Sequence, residues 1–256
     1  MSMLDRILSH ADRHAARAAV RTDEFIETSR VAPPVRSLSA ALSAPGLSVI
    51  AEIKRRSPSA GDIDMTIDPV ERAVAYVKGG AAAISVLTEP DFFAGSLDDL
   101  TAVRSAVDVP VLRKDFTRNA AQIWEARAAG ADAVLLIVAS LDPTVLGDLI
   151  AVADDVGVEA IVEAHTVAEV DVAVAAGASI VGVNNRDLHT FATDLSVAEA
   201  ASDRLPDTVV RVAESGVSDI VGAKRMAQAG YDAVLVGEAL VRSHDPAGLV
   251  AALTRT

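Results

Sequence analysis

Eight short runs of aliphatic and β-branched residues recur along the chain, at 48–53, 82–87, 109–113, 132–138, 158–162, 179–183, 208–213 and 232–237. Each is apolar at nearly every position rather than at alternate ones, the mark of strands buried on both faces. Helical patterns lie between them, among them Asp68–Lys78, Asn119–Ala129, Pro143–Val156, Thr166–Ala176 and Ser218–Ala229. Strand–helix alternation of this length leaves a closed eightfold βα barrel or a long open parallel sheet.

An internal echo favours closure. Gly79-Gly80-Ala81-Ala82-Ala83-Ile84, Ala129-Gly130-Ala131-Asp132-Ala133-Val134, Ala176-Gly177-Ala178-Ser179-Ile180-Val181 and Ala229-Gly230-Tyr231-Asp232-Ala233-Val234 repeat one pattern before every second strand. Glycines 80, 130, 177 and 230 suit a left-handed helix C-cap followed by a tight turn, and the repeat suggests a fourfold-related ring. The opening segment differs. Leu4, Ile7, Leu8, Ala11, Ala15 and Ala18 recur at helical spacing, Pro33-Pro34 stops any helix, and 37–42 suits a second short one. The expected fold is α/β, a TIM (β/α)8 barrel forming one domain over residues 1–256: a helical N-terminal extension at 1–46 and the barrel at 47–256.

Composition narrows the function. With no cysteine, disulfides, thiolate metal sites and a cysteine nucleophile are excluded. A net charge of −13 argues against non-specific binding to nucleic acid or anionic membranes. The longest apolar run, Ala133 to Ala139, is strand-sized, far short of the ~18 residues of a membrane span. The N-terminus has no apolar segment before a cleavage site. A soluble, cytoplasmic protein is expected.

In a βα barrel, chemistry collects at the C-terminal ends of the strands. There stand Glu52 and Lys54, Ser85 with Thr88-Glu89, Arg113-Lys114-Asp115-Phe116, Glu163, Asn184-Asn185-Arg186, and Glu214-Ser215-Gly216; the fourth strand ends apolar at Leu136, Ile137 and Val138. A single polar residue there would be a helix cap or a satisfied core group. Several charges converging from different strands would be a costly way to stabilise a mouth, whereas coupled, desolvated Lys and Glu groups are what acid–base catalysis requires. Gly216 and Gly237, each leading from a strand into a helix, form a candidate anion site on the last two strands. His10 and His14 have a zinc-ligand spacing but no H-E-x-x-H arrangement and read as a solvated face; His165 and His189 read as rim residues. The histidines therefore offer no metal site, and neither a G-x-G-x-x-G nor a Walker loop occurs.

Five segments in order, Ala51-Glu52-Ile53-Lys54-Arg55-Arg56-Ser57-Pro58-Ser59, Ser85-Val86-Leu87-Thr88-Glu89, Leu112-Arg113-Lys114-Asp115-Phe116, Val183-Asn184-Asn185-Arg186-Asp187-Leu188 and Ala213-Glu214-Ser215-Gly216, resemble indole-3-glycerol phosphate synthases. The resemblance implies ring closure, decarboxylation and dehydration of 1-(2-carboxyphenylamino)-1-deoxyribulose 5-phosphate without cofactor or metal, with other tryptophan-pathway enzymes as possible partners. It further implies Lys114 as general acid, Glu163 as acid/base partner, Lys54 as carboxylate anchor tuned by Glu52, and Asn184 and Arg186 as orienting groups. Glu214 and Ser215 would line the pocket, and Ser57, Gly216 and Gly237 would bind phosphate. Phe93, Phe116, Ile137 and Leu235 would hold the aromatic ring.

One residue departs from the family pattern: many relatives have Ser where Glu238 stands. A carboxylate ~8 Å from a phosphate costs ~2 kcal/mol per unit charge at an effective dielectric of ~20, so Glu238 is expected to face solvent and offer only its backbone N–H. The 55–67 loop, Ser57-Pro58-Ser59 included, is the expected lid. Alternatives are another phosphate-binding barrel enzyme, such as a phosphoribosylanthranilate isomerase or a ribulose-phosphate epimerase, or a non-catalytic barrel scaffold. The isomerase typically uses Cys/Asp and the epimerase a His/Asp metal cluster, and these strand ends carry neither. A scaffold predicts at least one lost catalytic charge, and all are present.

Overall fold

Both faces of each apolar run are buried, for two different reasons. The computed structural model describes residues 3–187 and 190–255; His189 lies outside them. Strands β1 (Ser48–Ile53), β2 (Ala83–Leu87), β3 (Val111–Lys114), β4 (Ala133–Ile137), β5 (Glu159–Ala164), β6 (Ile180–Asn184), β7 (Val210–Glu214) and β8 (Ala233–Val236) pair in parallel with their sequence neighbours, and β8 closes onto β1. The observed bounds fall within two residues of the sequence reading. One set of side chains, including Ile50, Leu112, Leu135, Ile161, Ile180, Val212 and Leu235, fills the barrel interior. The alternate set, including Val49, Ala51, Val86, Val111, Leu136, Val162, Val183 and Val236, packs outward under the helices. Successive residues of a strand point to opposite faces, so an apolar layer on each side erases any visible alternation.

The repeated glycines are all left-handed, at φ 96°, 93°, 89° and 84° for Gly80, Gly130, Gly177 and Gly230. The Asp that follows in two of the repeats is structural. Asp132 accepts the Val111 N–H at 2.8 Å and Asp232 the Arg211 N–H at 2.8 Å, each carboxylate fastening the foot of the preceding strand.

The N-terminal extension is three helices, α1 (Met3–Val20), α2 (Thr22–Ser29) and α3 (Leu38–Leu42). Phe25 and Ala18 pack on Ala121 of the helix Ala120–Ala128. α3 stops the barrel at its N-terminal end: Leu38 and Leu42 are fully buried within the interior cluster. Glu159, at the foot of β5, holds this plug by accepting from the backbone of Leu38, from Ser39 N at 3.0 Å, and from the Ser39 hydroxyl. No described helix is long and apolar enough to cross a membrane.

Candidate active site

The inward stripe that carries Ile50 low in β1 carries Glu52 one step higher and Lys54 beyond it. Across the ladder Ser85 stands opposite Glu52, Glu163 opposite Ile137, and Glu214 opposite both Asn184 and Leu235. The top interior layer is thus charged where the layers below are aliphatic. Two glycines make room for it. A Cβ on Gly182 would overlap the Glu214 carboxylate, and one on Gly237 would overlap that of Glu52 and crowd Lys54 Nζ.

Two lysines share three carboxylates in this layer. Lys54 Nζ pairs with Glu52. Lys114 Nζ bridges Glu163 Oε2 at 2.6 Å and Glu214 Oε2 at 3.0 Å, with the Glu163 and Glu214 side chains only 4% and 1% exposed. Burial alone would push the Lys114 ammonium toward neutrality, but Glu163, Glu214 and Glu52 outweigh it and hold Lys114 above its ordinary range. Burial likewise opposes the Glu163 charge; Lys114 and His165 overcome it and hold the carboxyl below its usual value. Glu214, equally buried, shares Lys114 and faces the Glu163 charge, so its pKa is pushed up to about 7. The two carboxyls therefore titrate as a pair, Glu163 biased toward the charged form and Glu214 toward the protonated one. Glu214 Oε1 is buried with no hydrogen-bond partner.

The sixteen residues expected to contact or act on substrate, Glu238 included, line one cavity of about 480 Å³; Ser85, Thr88, Glu89, Arg113 and Asn185 do not. Phe93 and Phe116 stand with ring centroids 6.3 Å apart. Asn184 Oδ1 accepts the Arg186 N–H at 3.0 Å, and the Arg186 guanidinium donates to the Phe191 carbonyl at 2.9 Å. Ser57 is buried in a short ladder in which Arg56–Ser57 pairs with Gly61–Asp62. Ser215 and Gly216 both have left-handed backbones, φ 63° and 86°. For a serine that conformation costs roughly 1–2 kcal/mol and gathers backbone N–H groups at the mouth.

Some assignments change. Glu89 caps the helix Pro90–Phe93, accepting from the N–H groups of Asp91, Phe92 and Phe93, and so fixes Phe93. Arg113 points outward and pairs with Asp115 and Glu125. Glu238 lies on the cavity wall, half-exposed, and accepts from Arg242 Nε at 2.9 Å, so it is paired rather than free in solvent. His10 and His14 are not a solvated face: both approach Asp91 Oδ2, at 2.8 and 3.5 Å, and His10 meets Phe92 edge-on. His165 is buried beside Glu163 rather than on the rim.

The reading of strand ends missed Met3, Leu4 and Ile7, which α1 brings to the cavity wall, and Arg242. Helical periodicity marked Leu4 and Ile7 as packing residues; nothing local said against what. No group of three or more His, Asp or Glu among the described residues is placed to hold a metal ion.

Comparison with known proteins agrees with this geometry. Residues 4–253 match the family described as indole-3-glycerol phosphate synthase. The chain is 52% identical over 254 residues to an indole-3-glycerol phosphate synthase of Mycolicibacterium smegmatis, covering 98% of this chain and 93% of that one. It is 48% identical to the protein of that description from Mycobacterium tuberculosis, with the same coverage. Among solved structures, a 3-hexulose-6-phosphate synthase superposes with a TM-score of 0.66 at 21% identity, covering 82% of this chain and 99% of that one, a likeness of fold alone.

Proposed function

The chain belongs to the indole-3-glycerol phosphate synthase family, and from that premise we propose how its charged mouth carries out the reaction. The enzyme is a carboxy-lyase of tryptophan biosynthesis acting on a phosphorylated small molecule. Its substrate is 1-(2-carboxyphenylamino)-1-deoxyribulose 5-phosphate. The carboxylate-bearing ring carbon attacks the ribulose carbonyl, CO2 leaves, and loss of water gives the indole.

The observation that carries the assignment is Lys114 bridged between two buried carboxylates. An ammonium held charged is a ready proton donor to a developing alkoxide, which is far more basic than any amine, and such help is worth ~10²–10⁴-fold. Lys114 is therefore assigned the protonation of the carbonyl oxygen as the C–C bond forms. Glu163, its partner at 2.6 Å, takes and returns protons in the later proton transfers and dehydration. Lys54, paired with Glu52, anchors the substrate carboxylate until CO2 departs, and Glu52 sets its position. Asn184, Arg186 and Glu214 orient the substrate. The aromatic ring fits against Phe93, Phe116, Ile137 and Leu235. The phosphate fits at Ser57, Ser215, Gly216 and Gly237, with the Glu238–Arg242 pair on the adjoining wall. An aqueous cytoplasmic setting, with other tryptophan-pathway enzymes as partners, suits this chemistry.

The test is fluorescence of indole-3-glycerol phosphate formed from the synthetic substrate without added metal or nucleotide. Steady turnover is expected. A flat trace from folded protein would overturn the reading in favour of a binding scaffold.

A further inference from the structure

Glu163 meets cations on two sides. Its Oε2 faces Lys114 at 2.6 Å, and its Oε1 faces His165 Nε2 at 3.3 Å. The other ring nitrogen, Nδ1, faces Glu169 Oε2 at 3.5 Å. Glu169 is itself held there by the His165 backbone N–H, which donates to the same oxygen at 2.7 Å. A chain of alternating charge thus runs outward from the reacting mouth: Glu214, Lys114, Glu163, His165, Glu169. The His165 side chain is 8% exposed and that of Glu169 24%, so the chain reaches solvent at its outer end through Glu169.

Only one protonation state of the ring suits both neighbours. A neutral imidazole has one N–H and one bare lone pair. With a carboxylate facing each nitrogen, either neutral tautomer would direct a lone pair at an anionic oxygen in a buried site. Only the imidazolium offers an N–H to both. Neither nitrogen makes an aligned hydrogen bond in the unliganded geometry, so the attraction at 3.3 and 3.5 Å is that of charges in contact.

We propose that His165 is a positioning residue for the reaction: as an imidazolium clamped by Glu169, it keeps Glu163 charged and aimed at Lys114. The proposal rests on the reading above that Glu163 handles protons in catalysis. The electrostatics point the same way. Burial would lower the histidine pKa, but Glu169, Glu163 and Glu214 together raise it above the ordinary value. The charged groups acting on the ring are Glu163 on its own strand, Glu169 on the following helix and Glu214 across the barrel, with Lys114 on the far side of Glu163. Lys114 and His165 contribute separately to holding the Glu163 charge.

Two measurements test it. In the unliganded protein, NMR titration of the histidine Cε1–H resonances, with His165→Gln for assignment, should show a His165 midpoint above the ordinary ~6.5. That midpoint should fall by about one pH unit or more in Glu163→Gln, as expected for loss of a facing charge. A midpoint at or below the ordinary value, or one unmoved by Glu163→Gln, overturns the proposal whether or not the protein is active. In turnover, the acid limb of kcat/KM in His165→Gln should move up by about one pH unit, with the loss confined to that limb and absent at neutral pH. A uniform loss with an unmoved limb would mean packing alone and overturn it equally. Glu169→Gln, altered at the solvent end, should shift the limb in the same direction by less and serves if His165→Gln does not fold. Wild-type inactivity would defeat the catalytic reading but leave the NMR result to decide the charge of His165.

Discussion

Replacing Lys114 with methionine keeps most of the side-chain volume and removes the one cation that bridges Glu163 and Glu214. Breaking a buried ion pair in this way costs about 3–5 kcal/mol, because the remaining charges lose their compensation. Linkage gives a similar magnitude: holding the Glu163 carboxyl at about 2 against an ordinary 4.5 corresponds to roughly 3 kcal/mol. In the wild type that stabilisation is present above pH 4.5 and is lost as pH falls toward 2. In Lys114→Met the Glu163 carboxyl is buried against Glu214 with only His165 beside it. Its pKa then moves above 4.5, and its contribution becomes a penalty that grows as pH rises. Urea denaturation at about pH 5.5 and about pH 8 should therefore show the larger destabilisation at the higher pH, approaching the full 3–5 kcal/mol, with kcat reduced at least ~10²-fold throughout. Equal destabilisation at both pH values, or kcat within tenfold of wild type, would refute the electrostatic account of Lys114.

Gly237→Ala places a methyl group against Glu52 and Lys54; overpacking costs about 1–3 kcal/mol, and kcat/KM should fall at least tenfold, so unchanged kinetics would show that the pair is free to move aside. Glu159→Ala unfastens the α3 plug from the foot of β5. It should lower unfolding free energy by about 1–3 kcal/mol and leave KM and kcat close to wild type, since it lies at the end of the barrel away from the mouth; lost activity with intact stability would contradict that placement. At the proposed phosphate end, Arg242 pairs with Glu238, so Arg242→Gln should raise KM roughly two- to fivefold. Adding Glu238→Gln should reverse the rise, and an additive loss in the double variant would contradict the compensation.

Much of this molecule was legible along the chain because the relevant physics is local. Strand length, helix period, left-handed glycines before alternate strands and polar residues at strand ends are all set by neighbours in sequence, and together they specify a barrel with a charged mouth. The alternation of interior and exterior layers left no trace, because apolar neighbours lie on both sides of every strand. Partners distant in sequence were equally hidden. His10 meets Asp91 across 81 positions and Leu38 meets Glu159 across 121; no periodicity encodes such a pairing.

The sequence by itself determined that the polar strand ends gather at one mouth, since a parallel barrel sends every strand's C-terminal end to the same side. Only the tertiary structure decided how their charges are divided. Lys114 lies between Glu163 and Glu214, Lys54 belongs to Glu52, and His165, which reads in sequence as a rim residue, is buried against Glu163. Proton affinities follow from burial and from distances of a few ångströms between strands, and those quantities exist only once the barrel has closed.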